Sequence, residues 1–296
     1  MEVIFLGTSA MVPTKERNQP SILVSLRNYD ILLDCGEGTQ RQLKIKTISP
    51  NRIRKILITH WHGDHSLGIP GLLMTMGQNE YQGKLQIFGP KGSKNQLDLL
   101  KKTFLFNPTY EIEVVECTSG KISEDNDLEI YTEEMSHMIP CINFSIKEKD
   151  RRRIKVNYVK KLGIPDGPLL GKLNDGKDIM WDGKKVTPEE ATYIVKGKKL
   201  TYITDTEVVD ECYKLAKDAD LLICEATLKS ELEETATERQ HLTPKMAAHI
   251  ASHSNVKKLI LTHFSQRYRS EKELEEDAKD VFDDVKAAFD FMRVKI

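Results

Sequence analysis

The sequence predicts an α/β protein built on two β-sheets with helices packed outside them. Short runs rich in β-branched residues, each bounded by Gly, Pro, Asn, Asp or charged residues, recur along the 296 residues, as strands should. Segments with helical spacing of apolar residues lie between them over the whole length. That mixture argues against a helical bundle or a pure β sandwich. With 39% hydrophobic and 30% charged residues, the chain has ample apolar material for a core.

Strands are expected at 3–6, 21–26, 31–34, 53–59, 85–88, 128–133, 143–146, 200–204, 221–224 and 258–262. Helices are expected at 38–46, 68–76, 93–104, 208–217 and 244–253, with the longest at 271–291. The first helix follows a Gly-rich turn, Asp34-Cys35-Gly36-Glu37-Gly38-Thr39, and Thr243-Pro244 reads as an N-cap followed by Pro at the first helical position. Residues 147–195 break the rhythm. This stretch is first Lys/Arg-rich and then Gly/Pro-rich, as an insertion would be, and Leu162, Ile164, Leu169, Leu170 and Trp181 argue that it is ordered.

No apolar run approaches the ~20 residues that span a bilayer. The N-terminus leads straight into a strand, so no signal peptide is expected. Cys35, Cys117, Cys141, Cys212 and Cys224 are scattered and odd in number, which suits buried thiols in a reducing cytoplasm. A net charge of −1 announces no nucleic-acid partner. The distribution is less even. Residues 147–161 hold eight Lys/Arg against two acids, and residues 271–284 hold eight acids against two lysines. Either run could simply be a solvated face.

The strongest chemical signal is Thr59-His60-Trp61-His62-Gly63-Asp64-His65. Three imidazoles and a carboxylate within six residues offer the ligands that zinc takes when no thiolate is present. The apolar segment Ile56-Leu57-Ile58 precedes them, so a strand end would hold the first ligand while the Gly turn lets the next ones converge. One loop does not close two metal spheres. His137, Asp205 and His263 each follow another strand-like segment and complete a plausible site along one sheet edge. His249 and His253, four apart on a helix, are read as structural.

His60-Trp61-His62-Gly63-Asp64-His65 resembles the signature of the metallo-β-lactamase superfamily, over residues 3–268. The resemblance implies an αβ/βα four-layer sandwich with a dinuclear metal site. In it, residues matching His60, His62 and His137 bind one zinc, those matching Asp64, His65 and His263 bind the other, and Asp205 bridges both. A two-metal site suits phosphodiester hydrolysis, because it acidifies a water and stabilises charge on the transition state. Asp64 could accept the water's proton.

Four further segments resemble the ribonuclease Z family. Pro13-Thr14-Lys15-Glu16-Arg17-Asn18 fits a PxKxRN loop near the acceptor end of the transfer RNA, where Lys15 and Arg17 could meet phosphate or base edges. Glu225-Ala226-Thr227 and His241-Leu242-Thr243 resemble a pair in which His241 protonates the leaving 3′ oxygen and Glu225 orients its ring. Ser265 and Arg267 follow His263 and could meet a phosphate. Gly167 and Pro168, in Gly163-Ile164-Pro165-Asp166-Gly167-Pro168, match the Gly-Pro motif of a flexible protruding arm, the exosite, that grips the transfer-RNA elbow. The family thus implies one domain, 1–296, with an RNA-binding arm at 147–195. It further implies two zinc ions per subunit, a homodimer, and cleavage of precursor tRNA to a 3′-hydroxyl on the tRNA and a 5′-phosphate on the trailer. Thr204 stands where many relatives have Gly before the bridging aspartate, and a small residue fits there. The competing readings are another hydrolase on the same fold and an RNA-binding protein without activity. The basic arm and PxKxRN loop count against the first, and the complete ligand set against the second.

Overall fold

Two seven-stranded sheets gather the strand segments. In the first the order is Arg293–Lys295, Glu2–Gly7, Ser21–Ser25, Asp30–Leu33, Ile53–Leu57, Leu85–Gly89, Ile112–Glu116. Its pairs are antiparallel up to Asp30–Leu33 and parallel beyond. The second runs Val285–Ala287, Leu259–Thr262, Leu221–Glu225, Lys199–Ile203, Cys141–Glu148, Leu128–Met135, Gly120–Glu124, and its first four strands are parallel. The computed structural model describes residues 1–296. It separates into a larger unit of residues 1–124, 130–146 and 199–296 and a smaller one of 125–129 and 147–198.

Within the larger unit, helices Thr39–Ile45, Ile69–Gln78 and Ser93–Thr103 cover the first sheet, packing Leu43, Leu72, Met76 and Leu97 against Ile4, Leu23, Leu32 and Ile56. Helices Asp210–Ala216, Pro244–His253 and Lys272–Lys279 cover the second, with Leu215, Ile250 and Leu274 against Leu222, Cys224 and Leu261. Alternate strand residues face opposite ways. Leu221, Ile223 and Ile260, outside the helix-facing cluster, are buried too. The layers are therefore helix, sheet, sheet, helix. Burial on both faces explains why Leu221–Glu225 and Leu259–Thr262 read as unbroken apolar runs.

The expected long helix at 271–291 is a correction. It stops at Lys279, and Val285–Ala287 and Arg293–Lys295 are edge strands of the two sheets. The reason is local: Val285 and Ala287 are buried while Lys286 is exposed, a period of two that a helix cannot satisfy. Strands Ile112–Glu116 and Gly120–Glu124 were not expected either. They are half-exposed edge strands with mixed polarity.

The smaller unit has its own apolar centre. Val159, Ile164, Leu173, Ile179, Val186 and Ala191 are buried together, with Leu169, Leu170 and Trp181 packed on them. Strand Arg151–Ile154 pairs with Thr192–Val195, and Ile179–Trp181 with Lys184–Val186. Gly167, in an extended conformation that only glycine adopts readily (φ 149°), precedes helix Pro168–Asn174, where Pro168 takes the first helical position.

Candidate metal centre

Five segments deliver donors to one edge of the larger unit. His60, His62, Asp64 and His65 follow strand Ile53–Leu57, and a short helix, Gly63–Ser66, turns the last two inward. His137 follows Leu128–Met135, Asp205 follows Lys199–Ile203, and His263 follows Leu259–Thr262. Glu225 ends strand Leu221–Glu225. The carboxyl ends of parallel strands are where loops leave a sheet and sites form. Two of these positions, Asp205 and His263, and Asp34 just past strand Asp30–Leu33, take an unusual backbone, with φ of 48°, 60° and 54°. Non-glycine residues adopt that region rarely, and it concentrates at functional sites.

The donors converge in two groups. His60 Nε2 lies 3.0 Å from His62 Nδ1, which is 3.3 Å from His137 Nε2. His65 Nε2 is 3.2 Å from His263 Nε2 and 3.4 Å from Asp64 Oδ2. Asp205 joins both groups, with Oδ2 3.7 Å from His60 Nε2 and Oδ1 3.4 Å from His65 Nε2 and 3.3 Å from His263 Nε2. Four donors around a zinc at ~2.0–2.1 Å lie roughly 3.3–3.4 Å apart, so the spacing fits a metal shared in this way. Two buried atoms, Asp64 Oδ1 and His137 Nδ1, have no hydrogen-bond partner in the protein.

The far nitrogens of His60, His65 and His263 are held. Asp34, fully buried, sets Oδ2 2.8 Å from His65 Nδ1 and accepts there from Tyr202 Oη, while its Oδ1 accepts from the Thr59 amide. Thr59 Oγ1 is 3.0 Å from His60 Nδ1, and Thr227 Oγ1 is 2.8 Å from His263 Nδ1. Such contacts fix the ring and the tautomer of a metal-binding histidine. Burial, with His65 nearby, pushes the His60 pKa well below its usual range. Burial opposes charge on His65 as well, but Asp205, Asp34 and Asp64 outweigh it and hold its pKa well above normal. Burial works against ionised Asp64 and Asp205, yet the surrounding imidazoles keep both pKa values low.

His241 stands beside this cluster. Its Nδ1 is 3.0 Å from Glu225 Oε2 and 4.0 Å from Asp205 Oδ2. Burial favours the neutral ring, but Glu225 prevails and raises the His241 pKa to about 9. Glu225 is fully buried, and its other oxygen accepts from the Thr206 amide. His241 also lies close enough to Asp205 and His263 to be a metal ligand by distance alone.

The remaining expected contacts divide. Arg267 is exposed and lines the pocket that holds His62, Asp64, His241 and His263. Lys15 is exposed nearby in sequence. Arg17 is instead buried at 3% exposure and turned inward. Its guanidinium meets Glu271 at 3.1 Å and donates to the carbonyls of Tyr268 (2.7 Å) and Ser265 (3.3 Å). So placed, it braces the loop after His263 and turns no exposed donor toward RNA, which corrects the expected contact. Gly167 and Pro168 lie in the smaller unit. His253 Nδ1 bonds the His249 carbonyl, as a structural pair would. Sequence reasoning missed Asp34, Thr59, Thr227 and Arg239. Asp34 was visible as an acid closing an apolar strand. Arg239, exposed on the pocket wall, carried no signal.

The fold and the donor cluster define a member of the β-lactamase superfamily. A model described as "Beta-lactamase superfamily domain" matches residues 177–264, and one described as "Anti-Pycsar protein Apyc1" matches residues 1–137. The chain is 39% identical over 297 residues to Ribonuclease Z of Methanothermobacter thermautotrophicus, covering 100% of this chain and 97% of the relative. It is 40% identical over 304 residues to Ribonuclease Z of Bacillus cereus, with 98% and 97% covered. The crystal structure of the short form of human tRNase Z aligns with a TM-score of 0.73 and 28% identity, covering 100% of this chain and 99% of that one. The chain belongs to the ribonuclease Z family.

Proposed function

We propose that this chain is an endoribonuclease that removes the 3′ trailer from precursor transfer RNA, leaving a 3′-hydroxyl on the tRNA and a 5′-phosphate on the trailer. The observation that carries the reading is the His241–Glu225 pair set against the ligand cluster: an acid for the leaving oxygen beside a site for the phosphate. His60, His62 and His137 would hold one zinc, and Asp64, His65 and His263 a second, with Asp205 within reach of both groups; so bound, the metal would supply charge against the phosphoryl oxygens and acidify an attacking water. Asp64 Oδ1, buried and unpartnered, takes the water's proton. Glu225 occupies His241 Nδ1, so the proton leaves from Nε2 to the 3′ oxygen.

Lys15, Arg267, and the smaller unit with Gly167 and Pro168 contact the RNA backbone, which gives affinity without reading sequence. A homodimer in the cytoplasm belongs to the same proposal. No helix is long and apolar enough to cross a membrane. The test is cleavage of a 3′-extended precursor tRNA by native protein and by Asp64→Ala, with the product ends mapped. One cut near the discriminator base, absent in the variant and in chelator, is expected. No cut, with turnover of a small ester or phosphodiester, would move the function to another hydrolase of this fold.

A further inference from the structure

The catalytic pocket is not the only hollow that reaches the metal ligands. A second groove of about 330 Å³ is lined by Trp61, Lys91, Gln96, Ile139 and Pro140 as well as His62 itself. His62 lines both, so the two hollows meet at the ligand cluster. They differ in what they hold. The first carries His241, Arg239 and Arg267, together with Met11 and Val12 of the loop that leads to Lys15. Apart from His62, the second carries the Trp61 ring, Pro90, Ile139, Pro140, Gln96 and a single cation, Lys91.

The chemistry assigns a direction. The leaving 3′ oxygen belongs to the tRNA and must approach His241, so the tRNA end lies in the first pocket. The scissile phosphorus stays with the trailer, whose next nucleotides must leave the cluster by another route. We infer that the groove of Trp61, Lys91 and Pro140 binds the first nucleotides of the single-stranded 3′ trailer, with Lys91 meeting the phosphate between the first and second of them. This rests on the reading of the chain as a precursor-tRNA nuclease.

Two features support it. Lys91 is exposed, and its ammonium has no partner within the protein. Trp61 is half-buried and fixed, its Nε1 donating to Ser93 Oγ at 2.8 Å. A fixed ring beside a cation is how single strands are held without sequence preference, a base on the ring and a phosphate on the charge.

The test compares two precursors that differ only in trailer length, one nucleotide and ten, cleaved by native protein, Lys91→Ala and Lys91→Arg. The short trailer has no phosphate for Lys91. Expected is a loss of about fivefold in kcat/KM for Lys91→Ala on the long trailer alone, with its salt dependence shallower by about 0.7 in the logarithmic slope, and recovery in Lys91→Arg. An equal loss on both precursors, or none on either, overturns the inference while leaving the nuclease reading intact. Failure of the native protein to cleave either precursor overturns that reading and this one with it.

Discussion

His241 takes its chemistry from its neighbours, since a solvated imidazole would be largely neutral at pH 7. Glu225 holds a proton on it by raising its pKa to about 9, and Thr206 and Thr227 hold Glu225. Replacing His241 by Ala should lower kcat by about 10²–10⁴-fold with metal content unchanged. Loss of metal in that variant would make His241 a ligand. Asp34 acts one step further back. Asp34→Asn removes the acceptor for the His65 ring, and metal affinity should fall by about 10–100-fold, read by competition with a chromogenic chelator. An unchanged affinity would leave Asp34 a fold residue only. A half-buried acid outside the donor cluster, Asp290, serves as a control. Burial raises the Asp290 carboxyl from 3.8 to about 6, although it accepts from Thr8, Asn18 and Gln42. The folded state therefore holds this proton more tightly than the unfolded chain does. Its stabilising contribution is complete below about pH 4 and is lost as pH rises through about 6. Asp290→Asn cannot titrate, so its stability relative to native protein should improve by roughly 2–3 kcal/mol between about pH 4 and pH 7. Urea midpoints at the two pH values measure this, and a difference that stays constant would refute it.

Elements place these residues by close backbone approach. The turn at Cys35-Gly36 is locked to the signature loop, with Cys35 donating to the His65 carbonyl and Gly68 donating to the Cys35 carbonyl, both at 2.9 Å. A Cβ on Gly68 would fall 2.0 Å from the Gly36 oxygen, and one on Gly36 would fall 2.3 Å from the Asp64 oxygen. These neighbours are backbone and cannot swing aside. Gly68→Ala should therefore cost about 1–3 kcal/mol or more, seen as a lower Tm and weaker metal retention together. A variant with unchanged Tm would show that the loop gives way easily. The same elements explain what could be read in advance. The interior strands and the helix 244–253 were legible because burial on both sheet faces, or along one helical stripe, leaves an unmistakable pattern. The edge strands Gly120–Glu124 and Val285–Ala287 were not, since half-exposed edges carry mixed polarity and the acidic run around 271–284 imitates a helix. The donor cluster was legible because the spacing of His60, His62, Asp64 and His65 is itself chemistry, and the structure brings His137, Asp205 and His263 to the same place. Arg17 was misread as an RNA contact because nothing in a charged loop tells an inward guanidinium from an outward one.

At the scale of the whole molecule, the chain leaves the second sheet at Glu148 and re-enters it at Lys199. Asn143 bonds the Thr204 carbonyl and Ser145 bonds the Leu200 carbonyl, so the two strands run in opposite directions with their free ends together. Opposed neighbouring strands can be joined by a two-residue turn. The smaller unit also keeps its own buried cluster and strand pairs, and the larger unit has its own helix-backed clusters on each sheet. A chain in which residues 147–198 are replaced by Asn-Gly should fold, retain its metal and hydrolyse bis(p-nitrophenyl) phosphate at close to the native rate. Cleavage of precursor tRNA should fall by about 10²-fold or more, because losing even a few phosphate contacts at physiological salt removes several kcal/mol of binding. The two substrates separate the roles. A loss on both would mean that the insertion supports the site itself, and a loss on neither would mean that RNA is held by the larger unit alone, through Lys15, Arg239 and Arg267.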